Sequence, residues 1–137
     1  NTFDDIGVRN WIARNMDRYR IFGFGLWAVC LKETGEMIGD CGLTMQLIGG
    51  QIKPEIGYHI RKDHQRKGYA KEAAAAVRDW AFTHTEYATL YSYMTDGNTA
   101  SWRLAAAIGM EQIGAYEDEE DGLLRIYAIT KEKWASL

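Results

Sequence analysis

The stretch Glu55-Ile-Gly-Tyr-His-Ile-Arg-Lys-Asp-His-Gln-Arg-Lys-Gly-Tyr-Ala-Lys-Glu-Ala-Ala-Ala-Ala76 decides how the chain folds. Glu55 to Ile60 alternates like a strand, Arg61 to Lys67 is a short basic loop, and Gly68 leads into an alanine-rich helix. A strand, a tight loop and a helix start leave several backbone N–H groups unpaired and pointing at one spot. With the positive end of the helix dipole they make an anion site. Gly68 lets a ligand approach the backbone closely, and Arg66, Lys67 and Lys71 surround the spot with positive charge. A phosphate or pyrophosphate is the expected guest. The spacing is neither the G-x-x-x-x-G-K-[ST] of a P-loop nor the G-x-G-x-x-G dinucleotide fingerprint.

Upstream, residues 4–20 read as a helix with Ile6, Trp11, Ile12 and Met16 on one apolar face. Leu26 to Leu31 is predicted as a strand, Lys32 to Gly35 as a hairpin turn, and Glu36 to Leu47 as the returning strand. Gly39 and Gly42 within it predict a bend or bulge. Ile48 to Gln51 is read as a loop, with Pro54 at the start of the next strand. Downstream, Ala73, Val77, Trp80, Ala81 and His84 recur at helical spacing. Ala88 to Met94 is a strand, and Asn98 caps a helix that ends before Gly109. Glu111 to Glu117 and Leu123 to Thr130 then pair as a hairpin across an acidic loop. Helix, three strands, helix, strand, helix and two strands predict a mixed α/β three-layer domain on a mostly antiparallel sheet.

At 137 residues the chain is one domain, 1–137, large enough for a real core. Its apolar share of 47% and charged share of 26% are those of a soluble globular protein. A net charge of −3 gives no global attraction to nucleic acid or anionic membrane, and no apolar run approaches a membrane span. Cys30 and Cys41 are too few for a disulfide framework; their apolar, alternating context predicts buried thiols in a reducing compartment, with cytoplasm the default. His59, His64 and His84 have no ligand spacing with one another or with the cysteines, so no metal is expected.

Gln65-Arg66-Lys67-Gly68-Tyr69-Ala70 resembles the Gln/Arg-x-x-Gly-x-Gly/Ala signature of the GNAT N-acetyltransferase superfamily, where this loop cradles the pyrophosphate of acetyl-coenzyme A. It lies between a strand and a helix, and Asn98-Thr-Ala-Ser101 and Ile108-Gly-Met110 follow. That order resembles the branch acetylating ribosomal-protein N-termini and its small-molecule-acetylating relatives. The resemblance implies a GNAT fold whose sheet splays beside the pyrophosphate-loop strand, with acetyl-CoA as co-substrate and a primary amine as acceptor. It implies main-chain contacts to acetyl-pantetheine from Tyr58, His59 and Ile60. Pyrophosphate contacts come from Arg66, Lys67, Gly68, Tyr69, Ala70 and Lys71. Glu55 matches the place of a catalytic glutamate in some members; the alternative is an exposed or salt-bridged carboxylate. Asn98 matches an asparagine on the coenzyme arm as well as a helix N-cap. Ser101 is a candidate to protonate the leaving thiolate, or a plain helix-surface serine. Tyr127 matches a tyrosine near the acceptor, although it reads first as core or pocket wall, as do Tyr91 and Tyr93, which share a sheet face. Many members carry a tyrosine where this chain has Ala105, so that proton donor is absent.

Members of the family usually begin with a further strand, and the resemblance here starts after it; a fragment, a shortened domain and a partner-completed sheet are the alternatives. An uncovered sheet edge suggests a homodimer. Acidic residues 117–121 would steer a cationic amine or form a solvated hairpin tip. No nucleophile motif occurs, so amine attack in a ternary complex is favoured over a covalent enzyme intermediate. Two rivals stand beside the acetyltransferase: an acyl-CoA-binding module without catalysis, and an unrelated α/β phosphate-binding domain.

Overall fold

The computed structural model describes residues 25–65 and 67–137. The helix expected over 4–20, and with it the second helical layer, lies outside the described residues, as does Arg66. The elements run β1 (Leu26–Cys30), β2 (Met37–Ile48), β3 (Gln51–Ile60), a single 3-10 turn (Lys62–His64), α1 (Tyr69–His84), β4 (Thr89–Thr95), α2 (Thr99–Ala107), β5 (Glu111–Asp118), β6 (Gly122–Thr130) and α3 (Lys131–Ala135). The six strands lie in the order β1-β2-β3-β4-β6-β5. Every neighbouring pair is antiparallel except β3 and β4, which are joined through α1 and run parallel. That is the mixed, mostly antiparallel sheet the sequence predicts.

Register assigns the two faces of the sheet. Cys41, Leu43, Ile56, Leu90, Met94, Tyr127 and Ile129 pack with α1 and α2 in one core. The helix α1 contributes Ala74, Val77, Ala81 and Phe82 to it, near the i, i+3, i+7 spacing of one helical face. Its alanines let the backbone lie close to the sheet. Trp80 is half-buried against Trp27, with ring centroids 5.0 Å apart, and His84, expected on the buried face, is exposed. The short α3, which the sequence reading missed, closes the same face: Trp134 stacks on Phe82 at 5.2 Å, and its indole N–H donates to Asp79 at 2.8 Å. Burial of a side chain such as Phe82, 1% exposed, stabilises the fold by about 1.5–3 kcal/mol.

Two expectations need correcting. The residues read as a loop at 48–51 form a tight hairpin: Gly49 and Gly50 have φ of 59° and 84°, the positive values a two-residue turn demands. The strand β3 therefore starts at Gln51, and Pro54 lies inside it, paired with Met45. Cys41 is buried but Cys30 is exposed, because alternation along β1 puts it with exposed Ala28 and opposite Trp27 and Val29, which pack on the core. The bulge expected around Gly39 and Gly42 is present beside Gly39, where the β1–β2 register skips Ile38, and both glycines are also required for close strand contact. A Cβ on Gly39 would lie 2.0 Å from the His59 carbonyl oxygen, and one on Gly42 would lie 2.1 Å from that of Gly25.

Candidate active site

The parallel ladder between β3 and β4 consists of the Glu55–Tyr91 pair. Beyond it the strands part, and side chains meet the backbone groups that a longer ladder would have used. The Tyr93 N–H donates to Glu55 Oε2 at 3.2 Å, and the buried Ser92 hydroxyl donates to the Ile56 carbonyl at 2.7 Å. A buried backbone group left without a partner would cost about 1–3 kcal/mol, so these two bonds stabilise the open gap.

Glu55 pairs with Thr44 and shares its sheet face with Asp40 and His59, away from α1 and α2. It is half-buried and makes no ion pair among the described residues. Burial pushes its carboxyl up from the ordinary 4.5 to about 7, against the Tyr93 N–H and the nearby His59, which both pull it down. On the same face, burial raises the Tyr93 and Tyr116 phenols, and the charges of Glu55, Asp118 and Asp121 raise them further. Asp118 also orders the hairpin tip, accepting the N–H groups of Glu120 and Asp121 at 3.1 and 2.9 Å.

His59, exposed, places Nδ1 3.1 Å from Oδ1 of buried Asp40. That bond raises the imidazole above its usual 6.5. Asp40 was overlooked in the sequence, although a lone acidic residue inside Ile38-Gly-Asp-Cys-Gly-Leu43, opposite His59, is the signal of a buried partner. Ser92 was also missed: its alternation announces a strand but not which neighbour's backbone it touches.

On the helix face, Tyr58 extends from β3 to the first turn of α2. Its hydroxyl donates to the Ser101 carbonyl at 2.9 Å and lies 2.8 Å from Ser101 Oγ. Asn98 caps α2, its Oδ1 accepting the Ser101 N–H at 3.3 Å. Tyr127 is 6% exposed within the core on this face, paired with Ser92 and opposite to Glu55.

Past β3, Gln65 Nε2 donates to the Ile60 carbonyl at 2.9 Å, and Arg61 is fastened to Asp63 at 3.0 and 3.1 Å. Gly68 precedes α1 with φ 83°, and no described side chain caps the helix. No described atom lies within 4 Å of where its Cβ would be. Lys67 and Lys71 are exposed and have no ion-pair partner among the described residues. The uncapped amides, the open left-handed glycine and the two free cations fit a pyrophosphate. A separate apolar cavity of about 600 Å³ lies between β1 and α1, lined by Trp27, Val29, Cys41, Ala73, Val77 and Trp80. Its lining reaches Tyr69 and Glu72 in the first turn of α1, and it includes none of Glu55, Tyr58, Ser92 and Ser101.

The chain matches the acetyltransferase (GNAT) domain family over residues 2–111. It is 38% identical over 103 residues to the Bacillus subtilis protein YkkB, a match covering 75% of this chain and 60% of that relative's length. A GNAT-family acetyltransferase structure from Bacillus anthracis is 25% identical, with a TM-score of 0.78 over 96% of this chain and 78% of its own. The ribosomal-protein-S5-alanine acetyltransferase of Vibrio fischeri also superposes with a TM-score of 0.78, over 96% of this chain and 75% of that chain. At 16% identity that likeness is one of fold.

Proposed function

Because the chain belongs to the GNAT acetyltransferase family, we propose that it transfers an acetyl group from acetyl-CoA to a primary amine by direct attack. The observation that carries this reading is Glu55: a carboxyl at the mouth of the sheet gap whose pKa of about 7 suits proton removal near neutral pH.

In this reading the α1 N-terminus, Gly68 and the flanking Arg66, Lys67 and Lys71 bind the pyrophosphate, with Tyr69 and Ala70 supplying first-turn amides. The backbone of Tyr58, His59 and Ile60 holds the acyl arm, Asn98 sits over it, and Ser92 and Tyr127 wall the gap from the helix side. The amine arrives from the opposite face, among Glu55, Tyr93 and Tyr116, where Asp118 and Asp121 favour a cation. A lysine-type amine has an unperturbed pKa of about 10.4 and must lose a proton before it can attack. Glu55 takes the proton released at nitrogen, while a backbone N–H polarises the carbonyl.

The test is thiol release from acetyl-CoA over a panel of primary amines. The reading predicts amine-dependent release that rises through pH 7 and is lost in Glu55→Gln. Coenzyme binding with no turnover on any amine would instead assign a binding module.

A further inference from the structure

We propose that the Tyr58 hydroxyl, steadied by Ser101, is the donor that meets the sulfur of the departing thiolate. The assignment rests on the acyl transfer proposed above. The position at which the resemblance would place a hydroxyl is Ala105, 1% exposed in the core and without one. Another group must face the charge that grows on sulfur.

Tyr58 is placed to do so. It stems from the part of β3 that lies beyond the Glu55–Tyr91 pair, and its hydroxyl ends on α2, the helix that follows β4. The ring therefore bridges the helix-side mouth of the gap, and a thioester lying in that gap passes beneath it. The positive end of the α2 dipole adds to the donor there. Two hydroxyls, 2.8 Å apart, stand beside one carbonyl at 2.9 Å. Of their two protons one bridges the pair, and the other is free to turn from the carbonyl to a guest. Burial raises the phenol to about 12, helped by Glu55 and Cys41 and opposed by the Ser101 bond. Tyr58 thus stays protonated at working pH. An ordinary thiol titrates near ~8.5, so Tyr58 donates a hydrogen bond and does not surrender its proton. As nitrogen bonds to the carbonyl carbon, the C–S bond breaks with its pair on sulfur. Glu55 passes the amine proton to solvent, and the thiolate takes one up from solvent.

The experiment needs no acceptor: titrate the thiol of bound coenzyme A by the ultraviolet absorbance of its thiolate. In the parent the bound thiol titrates below the free coenzyme. Tyr58→Phe raises it by about one pH unit, the size expected for one hydrogen bond to a charged atom. Ser101→Ala raises it less, and a fluorinated tyrosine at 58, a stronger donor of the same shape, lowers it. Equal values in the parent, Tyr58→Phe and the fluorinated chain overturn the assignment alone. Failure of the parent to bind coenzyme A overturns the acyl-transfer reading and this assignment with it.

Discussion

Replacing Glu55 by glutamine should make the protein more stable and unable to act as a base. The amide oxygen of glutamine can still accept the Tyr93 N–H, so the bond across the gap survives. What disappears is the ionisation that burial resists. A carboxyl moved from 4.5 to about 7 corresponds to about 3 kcal/mol at about 1.36 kcal/mol per pH unit. Partial exposure screens some of this, leaving about 1.5–3 kcal/mol. The sign follows from linkage: the folded group holds its proton to higher pH than the unfolded one. Wild-type stability is therefore undiminished below pH 4.5 and falls as pH rises through 7. Other groups, His59 among them, also shape the profile, so the quantity to measure is the difference between wild type and Glu55→Gln in urea unfolding. That difference should be small at pH 4.5 and about 1.5–3 kcal/mol in favour of the variant at pH 8. With a urea slope of about 2 kcal/mol per molar, the midpoint moves by about 1 M. A difference independent of pH would refute the claim that Glu55 is desolvated, and its candidacy as base with it.

Three further outcomes test other parts of the site. Gly68→Asp should weaken acetyl-CoA binding by tenfold or more in calorimetry, through charge set against a pyrophosphate, whereas Gly68→Ala, facing open space at φ 83°, should cost about 1 kcal/mol of stability and little affinity. Gly42→Ala places a methyl 2.1 Å from the Gly25 carbonyl oxygen; it should lower stability by about 3 kcal/mol or more in thermal unfolding, since both strands must part. Asp40→Asn should let the His59 imidazole fall toward its ordinary value in an NMR titration. It should also remove a contribution to stability present below about 6.5 and lost as pH rises through the folded value.

The strand and helix order was legible because β2, β3 and α1 carry strong periodic patterns, and because glycine and asparagine punctuate them at Gly35, Gly68, Asn98 and Gly109. The loop proposed to hold an anion was legible for the same reason: its amides belong to consecutive residues. What escaped sequence reading depends on register. Nothing in the order of residues says that Glu55 stops the β4 ladder, that Tyr58 reaches Ser101 forty-three residues on, or that Asp40 lies opposite His59. Each is a meeting between strands, and a shift of one residue would have sent every side chain to the other face. Tyr127 shows the converse. Its local sequence matches an acceptor-side tyrosine, yet register points it into the helix-side core.

A sheet that opens in its middle has two more edges than a sheet that does not. Such edges are where foreign strands add, and proteins commonly guard them with charge or by covering them. Here the guard is internal. Glu55 occupies one donor and Ser92 one acceptor within the gap, so an empty molecule offers a stray peptide an interrupted ladder. The same two side chains that stand at the proposed reaction site thereby also leave a stray strand little to pair with.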